Sequence, residues 1–472
     1  MKNNPDLSYQ GVMDRKNRIM MQAVGIDYDQ FEQEGIAFDY EQMMNKAGYS
    51  LEEVRKIQEE TNVGKTPLLE LHNLTKLVRL HADPGKGARI FVKDEACNPS
   101  GSFKARRASL SCYQAQKQGY KGVISATSGN YGAAVASQSA IRGLNCIVVQ
   151  ELFDSQDLSQ PEIMEKGRAC EAYGAEVVQL SVGPELFYKF LLLLEETGYF
   201  NASLYTPFGI AGIETLGFEL AEQVRQTTGK DPAAVLITHA GGGNVTGTAR
   251  GLQKAGCNDT EIVGISVDLS GLHMASDHDF NRKSFTTGHT GFGVPFATWP
   301  DRADVPRNAA RPLRYLDRYY TVTQGEVFYV TELLAQLEGL ERGPAGNTSL
   351  AGAFSVAKEM DRDDILVVQE TEYTGAGKHP SPQLTFARNM GITVRRGHPE
   401  ENIPGQNIVI PESSDQLSVK SVDLDNLRKS YLKKAALEKG EGALSSLELE
   451  YLAAELKTSL EWIEKNYKEA IK

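Results

Sequence analysis

The sequence predicts an α/β protein built on two parallel β-sheets in two domains, with helical extensions at both ends. Three observations carry this. Short apolar runs rich in β-branched residues alternate with helical stretches over most of the chain, the pattern of parallel strands buried on both faces. The runs are too many for one compact sheet. Glycine- and serine-bearing turns join strand to helix at three places, where α/β sheets gather ligands.

The elements follow in order. Residues 1–60 are polar and helical in pattern, and "SLEEVRKIQEE" opens with Ser50 and Glu53 in capping-box spacing. This arm packs on the body or on a neighbouring subunit. Strands are predicted at 88–95, 122–127, 145–150, 175–180, 233–240, 261–268 and 363–371. Helices are predicted at 104–118, 131–143 and 161–174, and the run "PELFYKFLLLLEETG" follows the strand at 175–180. The stretch 270–308 is glycine-rich and aperiodic, a functional or mobile loop. After residue 400 the chain is charged and helical again. There Leu449, Leu452, Leu456, Leu460, Ile463 and Tyr467 form an apolar stripe that docks on the chain's own body or on another subunit. The expected division is an arm (1–60), a large domain (61–104 with 206–400), a small domain (105–205) and a C-terminal extension (401–472).

Totals limit the function. Net charge is −12 and no marked basic run occurs, which disfavours nucleic acid or an anionic membrane as partner. No apolar stretch reaches the roughly 20 residues of a membrane helix, and the N-terminus lacks a secretory core. The five cysteines are scattered without a CxxC pair, and His273, His278, His289 and His379 lack metal-ligand spacing. A cytoplasmic location and no metal site are expected.

Three turns carry chemistry. In "CNPSGSFKARRAS" the turn residues Asn98 to Ser102 place Lys104 near a helix N-terminus beside Phe103. The positive helix end and partial burial both favour the free amine, which can condense with an aldehyde. In "ATSGNYG" Asn130 projects an amide at the carboxyl end of a strand. In "HAGGGNVTG" the residues Gly241, Gly242, Gly243, Asn244 and Val245 join a strand to a helix. Such a turn converges backbone N–H groups and a helix end on an anion. It lacks the lysine of a nucleoside-triphosphate loop and the spacing of a dinucleotide loop, so a compact monophosphate fits best. Each turn also has a plain reading: a snorkelling lysine, a helix cap, a tight connection. Together they specify an aldehyde, a ring hydroxyl and a monophosphate, the three groups of pyridoxal 5'-phosphate.

The three segments, in this order over residues 60 to 395, resemble the lysine motif, asparagine loop and phosphate loop of the fold type II pyridoxal-phosphate enzymes, the tryptophan synthase β and threonine synthase group. The resemblance implies that Lys104 holds the cofactor, that Asn130 lies beside its ring oxygen, and that Gly241–Val245 hold its phosphate. The segment "ETEYTGAGKHP" is similar to the threonine synthase stretch whose threonine faces the pyridine nitrogen. That implies Thr374, with Glu370 and Glu372 competing for the role. After Lys104 the usual Asp-Arg-Gly is replaced by Ala105, Arg106 and Arg107.

Over most of its length the chain most resembles the β subunits of 2-amino-4-ketopentanoate thiolases, on "GNYGAAVASQSAIRG", "THAGGGNVTGTARGLQKAG", "GHTGFGVPFATWP" and "QETEYTGAGKHPSPQ". That resemblance implies cleavage of 2-amino-4-ketopentanoate by coenzyme A to acetyl-CoA and alanine in ornithine degradation. It also implies a small α subunit as partner and a β-chain homodimer within a hetero-oligomer. Lys104, once released by the substrate amine, is the proton carrier. Cys97 is either a rival nucleophile, as in ordinary thiolases, or a partly buried spectator. Arg106 and Arg107 either meet anionic groups of coenzyme A or substrate, or form salt bridges. The alternatives are an elimination or replacement lyase, of the threonine synthase or diaminopropionate ammonia-lyase type, and a non-catalytic subunit that keeps the fold.

Overall fold

The computed structural model describes residues 5–470, apart from 128, 155, 184, 204, 270–283, 288–306, 374–379 and 441. Its strands in chain order are β1 (Leu68–Glu70), β2 (Arg89–Asp94), β3 (Gly122–Thr127), β4 (Asn145–Phe153), β5 (Glu176–Ser181), β6 (Phe200–Asn201), β7 (Ala234–Thr238), β8 (Glu261–Val267), β9 (Arg318–Val322), β10 (Ile365–Glu370), β11 (Thr393–Arg396), β12 (Asn407–Ile410) and β13 (Lys420–Ser421).

They form a seven-stranded sheet in the order β1-β2-β10-β7-β8-β9-β13, a four-stranded sheet β5-β4-β3-β6, and the pair β11-β12. The large sheet is parallel from β2 to β9, with Val367 of β10 opposite Phe91 of β2 and Leu366 opposite Ala234 of β7. Its edges, β1 and β13, run antiparallel. The small sheet is parallel throughout. Two α/β sheets with parallel cores are what the alternating pattern predicts.

The strand period of two sorts the core. On the large sheet Ile90, Val92, Leu236, Val263, Ile265, Leu366 and Val368 face one way, under helices His72–Leu80, Gln324–Glu338 and Thr348–Glu359. Phe91, Val235, Ile237, Ile262, Ile365 and Val367 face the other, under helices Pro207–Thr228 and Gly243–Lys254. Both faces are buried, which is why these strands read as continuous apolar runs.

The two ends pack on this body. Val12, Ile19 and Met20 from the arm join Ile124, Val149 and Phe190 of the small sheet's layer. The helix Leu51–Glu59 opens with the expected Ser50–Glu53 capping box. In the extension Leu452, Leu456, Ile463 and Tyr467 are buried against Ile36, Leu313 and Tyr319 of the same chain, so the stripe docks on its own body. It spans two helices, Ser446–Leu456 and Leu460–Ala470, split where Lys457 adopts φ 50° and its Nζ bonds Asp317 at 2.5 Å. The expectation of a purely helical chain after 400 is corrected by β12 and β13. Short two- and four-residue strands carry too little period to show in sequence. Most of the long loop at 270–308 lies outside the described residues.

Candidate active site

The carboxyl ends of three neighbouring strands of the large sheet, β2, β10 and β7, and of β3 in the small sheet each release one segment of the site. From β2 the chain passes the Asn98–Gly101 turn and reaches Lys104, the first residue of the helix Lys104–Lys117. Gly101 has φ 71°, and a Cβ there would sit 2.6 Å from the Tyr373 carbonyl oxygen, so only glycine fits. The turn lies against the segment leaving β10: Phe103 N donates to the Thr371 carbonyl at 3.0 Å and Tyr373 N to the Gly101 carbonyl at 2.7 Å. This pairing sets Glu372 opposite Ser102, where its side chain meets Lys104.

Lys104 Nζ donates to Glu372 Oε2 at 3.4 Å, and its side chain is 25 % exposed. Asn130, at the start of the helix Asn130–Arg142, donates Nδ2 to the same Oε2. The two residues predicted to flank a cofactor's aldehyde and ring oxygen thus converge on one point. Glu372 Oε1 lies 3.6 Å from Lys166 Nζ, which donates to Glu162 Oε1 at 2.6 Å. Glu162, Lys166 and Glu372 are all buried.

Burial lowers the Lys104 pKa; Glu372 opposes this, while Lys166 and Arg107 add to it. The amine is therefore biased toward its neutral, nucleophilic form. Burial pushes the Glu162 carboxyl up, against Lys166. For Lys166 burial is outweighed by the two carboxylates, and its pKa is raised. Behind them Glu370, at the end of β10, is pushed well up by burial and then by Asp94.

After β7 the chain turns through Gly241 and Gly242 into the helix Gly243–Lys254. Gly242 has φ 82°, the left-handed region that favours glycine. A Cβ on Gly241 would overlap Tyr205 Oη, and one on Gly243 would lie 2.9 Å from Arg107 Cζ. Asn244 is buried, and its Nδ2 has no hydrogen-bond partner among the described residues. Backbone amides at a helix N-terminus, a spare amide donor and a glycine turn closely approached by Tyr205 and Arg107 fit a phosphate. A reactive amine and a second amide stand at the neighbouring strand ends. These residues fit pyridoxal 5'-phosphate.

Of the expected site residues, Lys104, Asn130 and Gly241–Val245 gather at these strand ends; Thr374 lies outside the described residues. So do His273, His278, His289 and His379. Cys97 is exposed rather than partly buried, and its Sγ donates to Asp94 at 3.2 Å. Desolvation and then Asp94 raise its pKa, so the thiol stays protonated and is a poor nucleophile. Arg106 is a salt-bridge residue, bonded to Glu95 and Glu219; Arg107 instead reaches the glycine turn. Among the described residues no group of His, Cys, Asp and Glu could hold a metal, and no helix is long and apolar enough to cross a membrane.

Sequence reasoning missed Glu162 and Lys166. A glutamate and lysine four apart read as an exposed helix pair. Yet in the helix Pro161–Ala172 they share one stripe with Ile163, Gly167 and Cys170, and that spacing marks a buried face.

Comparison with known proteins identifies the family. Residues 59–370 match the family described as pyridoxal-phosphate dependent enzyme. A 2-amino-4-ketopentanoate thiolase beta subunit from an unknown prokaryotic organism is 65 % identical over 458 residues, 97 % of each chain. One from Acetoanaerobium sticklandii is 64 % identical, covering 98 % of this chain and 99 % of that one. Among solved structures, a T.th. threonine deaminase superposes with a TM-score of 0.52 at 27 % identity, covering 69 % of this chain and 98 % of that one. The family match spans well over half the chain and the thiolase subunits match end to end, so this chain belongs to the pyridoxal-phosphate-dependent enzymes and, within them, to the 2-amino-4-ketopentanoate thiolase beta subunits.

Proposed function

We propose that this chain is the cofactor-carrying subunit of an enzyme that cleaves 2-amino-4-ketopentanoate with coenzyme A, giving acetyl-CoA and alanine, and that it works with a small α subunit. The observation that carries this is the 65 % identity over 97 % of the chain. The site chemistry is consistent with it. Lys104 would hold the cofactor through its amine, Asn130 would lie at the ring oxygen, and the amides of Gly241–Val245 would take the phosphate. Thr374 would face the pyridine nitrogen. In domain terms, residues 61–104 with 206–400 would carry the cofactor and 105–205 would form the small domain.

When bound, pyridoxal 5'-phosphate supplies an electron sink that makes the α hydrogen of an amino acid acidic. The chain's own groups do the rest. Lys104, displaced by the substrate amine, is a base with a depressed pKa, suited to carry that hydrogen as a proton. Glu372, 3.4 Å away, holds the resulting ammonium in place. The coenzyme A thiolate bonds to C4 of the keto acid, the C3–C4 bond breaks, and its electron pair stays on C3, which takes a proton. Lys104, carrying the α proton, would return it to the α carbon, and Lys166, 3.6 Å from the same Glu372, would be a second ammonium able to supply the proton at C3.

Two measurements test the proposal. Borohydride reduction of the holoprotein followed by peptide mass spectrometry should place the cofactor tag on Lys104; a tag elsewhere overturns the site. Co-expression with the small α subunit should give acetyl-CoA from the keto acid only when coenzyme A is present. Turnover without coenzyme A would favour the lyase reading.

A further inference from the structure

We propose that Arg107 is a phosphate-binding residue of the cofactor site, a side chain added to a cup otherwise built from main chain. This rests on the reading of residues 241–245 as the phosphate turn. The argument begins with the departure noted after the lysine, where Arg107 stands in place of the usual glycine. Its neighbour Arg106 turns away from the site, and its guanidinium bonds both Glu95 oxygens at 2.7 and 2.8 Å. Arg107 sits one helical step further on, on the face toward the glycine turn. Its side chain passes the Phe103 ring, 5.6 Å from the centroid, and ends against Gly243, where a Cβ would lie 2.9 Å from Cζ and 3.0 Å from Nη1.

The guanidinium therefore lies at the N-terminal end of the helix Gly243–Lys254, the spot whose backbone amides and partial positive charge select an anion. Arg107 is 3 % exposed. Burial works against its charge, and among the described residues the phenols of Tyr205 and Tyr131 partly offset it. A cation in so dry a place interacts strongly with a nearby dianion, and a guanidinium meets phosphate oxygens by two parallel N–H bonds. Gly243 is also explained: with any side chain there, the guanidinium could not reach the turn.

The test compares two probes that differ only by the phosphate. Apoprotein of the full chain is titrated with pyridoxal 5'-phosphate and with pyridoxal, following the imine absorbance, for wild type, Arg107→Met and Arg107→Lys. Arg107→Met should weaken pyridoxal 5'-phosphate by about 10- to 150-fold, the range of one charge-assisted hydrogen bond. Its affinity for pyridoxal should stay within about twofold, the phosphate-specific part alone being lost. Arg107→Lys should fall between, because it keeps the charge and loses the fork. Inorganic phosphate should compete with pyridoxal 5'-phosphate on wild type and lose that effect in Arg107→Met. Equal weakening of both probes, or of neither, overturns the assignment; thermal melting of each apoprotein identifies a variant that has lost its fold. Wild type that takes up neither compound would sink the cofactor reading itself, a failure distinct from an Arg107 variant that does not discriminate.

Discussion

Two clusters of four charges, the first buried and the second buried apart from Lys104, are built to opposite standards. The first joins Lys93, Glu95, Arg106 and Glu219. Lys93 Nζ donates to Glu219 at 2.5 Å, to the Thr66 carbonyl at 2.6 Å and to Gln223 at 2.8 Å. Glu219 also accepts from the backbone N–H of Lys65 and Thr66, each at 3.0 Å. The second joins Lys104, Glu162, Lys166 and Glu372, with gaps of 3.4 and 3.6 Å on two of its pairs. Glu162 Oε2 is buried with no hydrogen-bond partner among the described residues.

Burial lowers the lysine of each cluster, Lys93 as well as Lys104, and the carboxyls carry the contrast. Burial disfavours the ionised Glu219, yet Arg106 and Lys93 outweigh it and its carboxyl is held far below the usual range. At two members of the second cluster burial prevails, lowering Lys104 and raising Glu162, while at Lys166 the carboxylates outweigh it. A cluster whose every lone pair is met fixes structure; one left partly unmet keeps protons exchangeable, which is what chemistry needs.

The largest effect expected from this contrast is on stability. Arg106→Met removes one partner and leaves Glu95 and Glu219 buried, at a cost of about 3–5 kcal/mol. Denaturant unfolding measures it. A loss under about 1 kcal/mol would break the comparison, since the first cluster would then be no more than an exposed pair in effect.

In the second cluster the effect should move from stability to turnover. Lys166→Met keeps length and removes the ammonium between Glu162 and Glu372. The two carboxyls can respond by taking up protons, so the fold tolerates the change. Acetyl-CoA formation should drop by about a hundredfold, the scale of one positioned acid–base group, while the cofactor absorbance persists. An unfolding midpoint that falls with turnover untouched would make this cluster structural as well.

Neither cluster is legible in the sequence, although the elements that carry them are. Strand and helix positions were legible because β-branched runs and glycine turns are local signals, and β3 and the helix beginning at Lys104 lie where those signals put them. Lys104, Asn130 and the glycine turn were legible because each sits on a strand-to-helix connection. The partners were not. In sequence Glu372 reads only as a candidate for the pyridine nitrogen, and its convergence with Lys104 and Asn130 depends on how the segment leaving β10 pairs with residues 101–103. Arg106 and Arg107 are identical in type and adjacent, and only the helix phase sends one to Glu95 and the other to Gly243. Such facts arise from tertiary placement, which no local pattern encodes.

The smallest expected effect is the sharpest test, because its sign is fixed. Glu162 has a raised pKa in the fold, so between the ordinary carboxylate range and that raised value the folded chain holds a proton the unfolded chain has lost. Stability from this group is present at low pH and lost as pH rises through the folded value. Glu162→Gln is a permanent stand-in for the protonated acid. Its stability should therefore run flatter with pH than that of wild type and overtake it above this window, by on the order of 1 kcal/mol, the equivalent of one pKa unit. Unfolding free energies for the two proteins, taken from acid to mildly alkaline pH, measure the crossing. Parallel curves would mean that Lys166 keeps Glu162 ionised throughout, and the second cluster would then be as settled as the first.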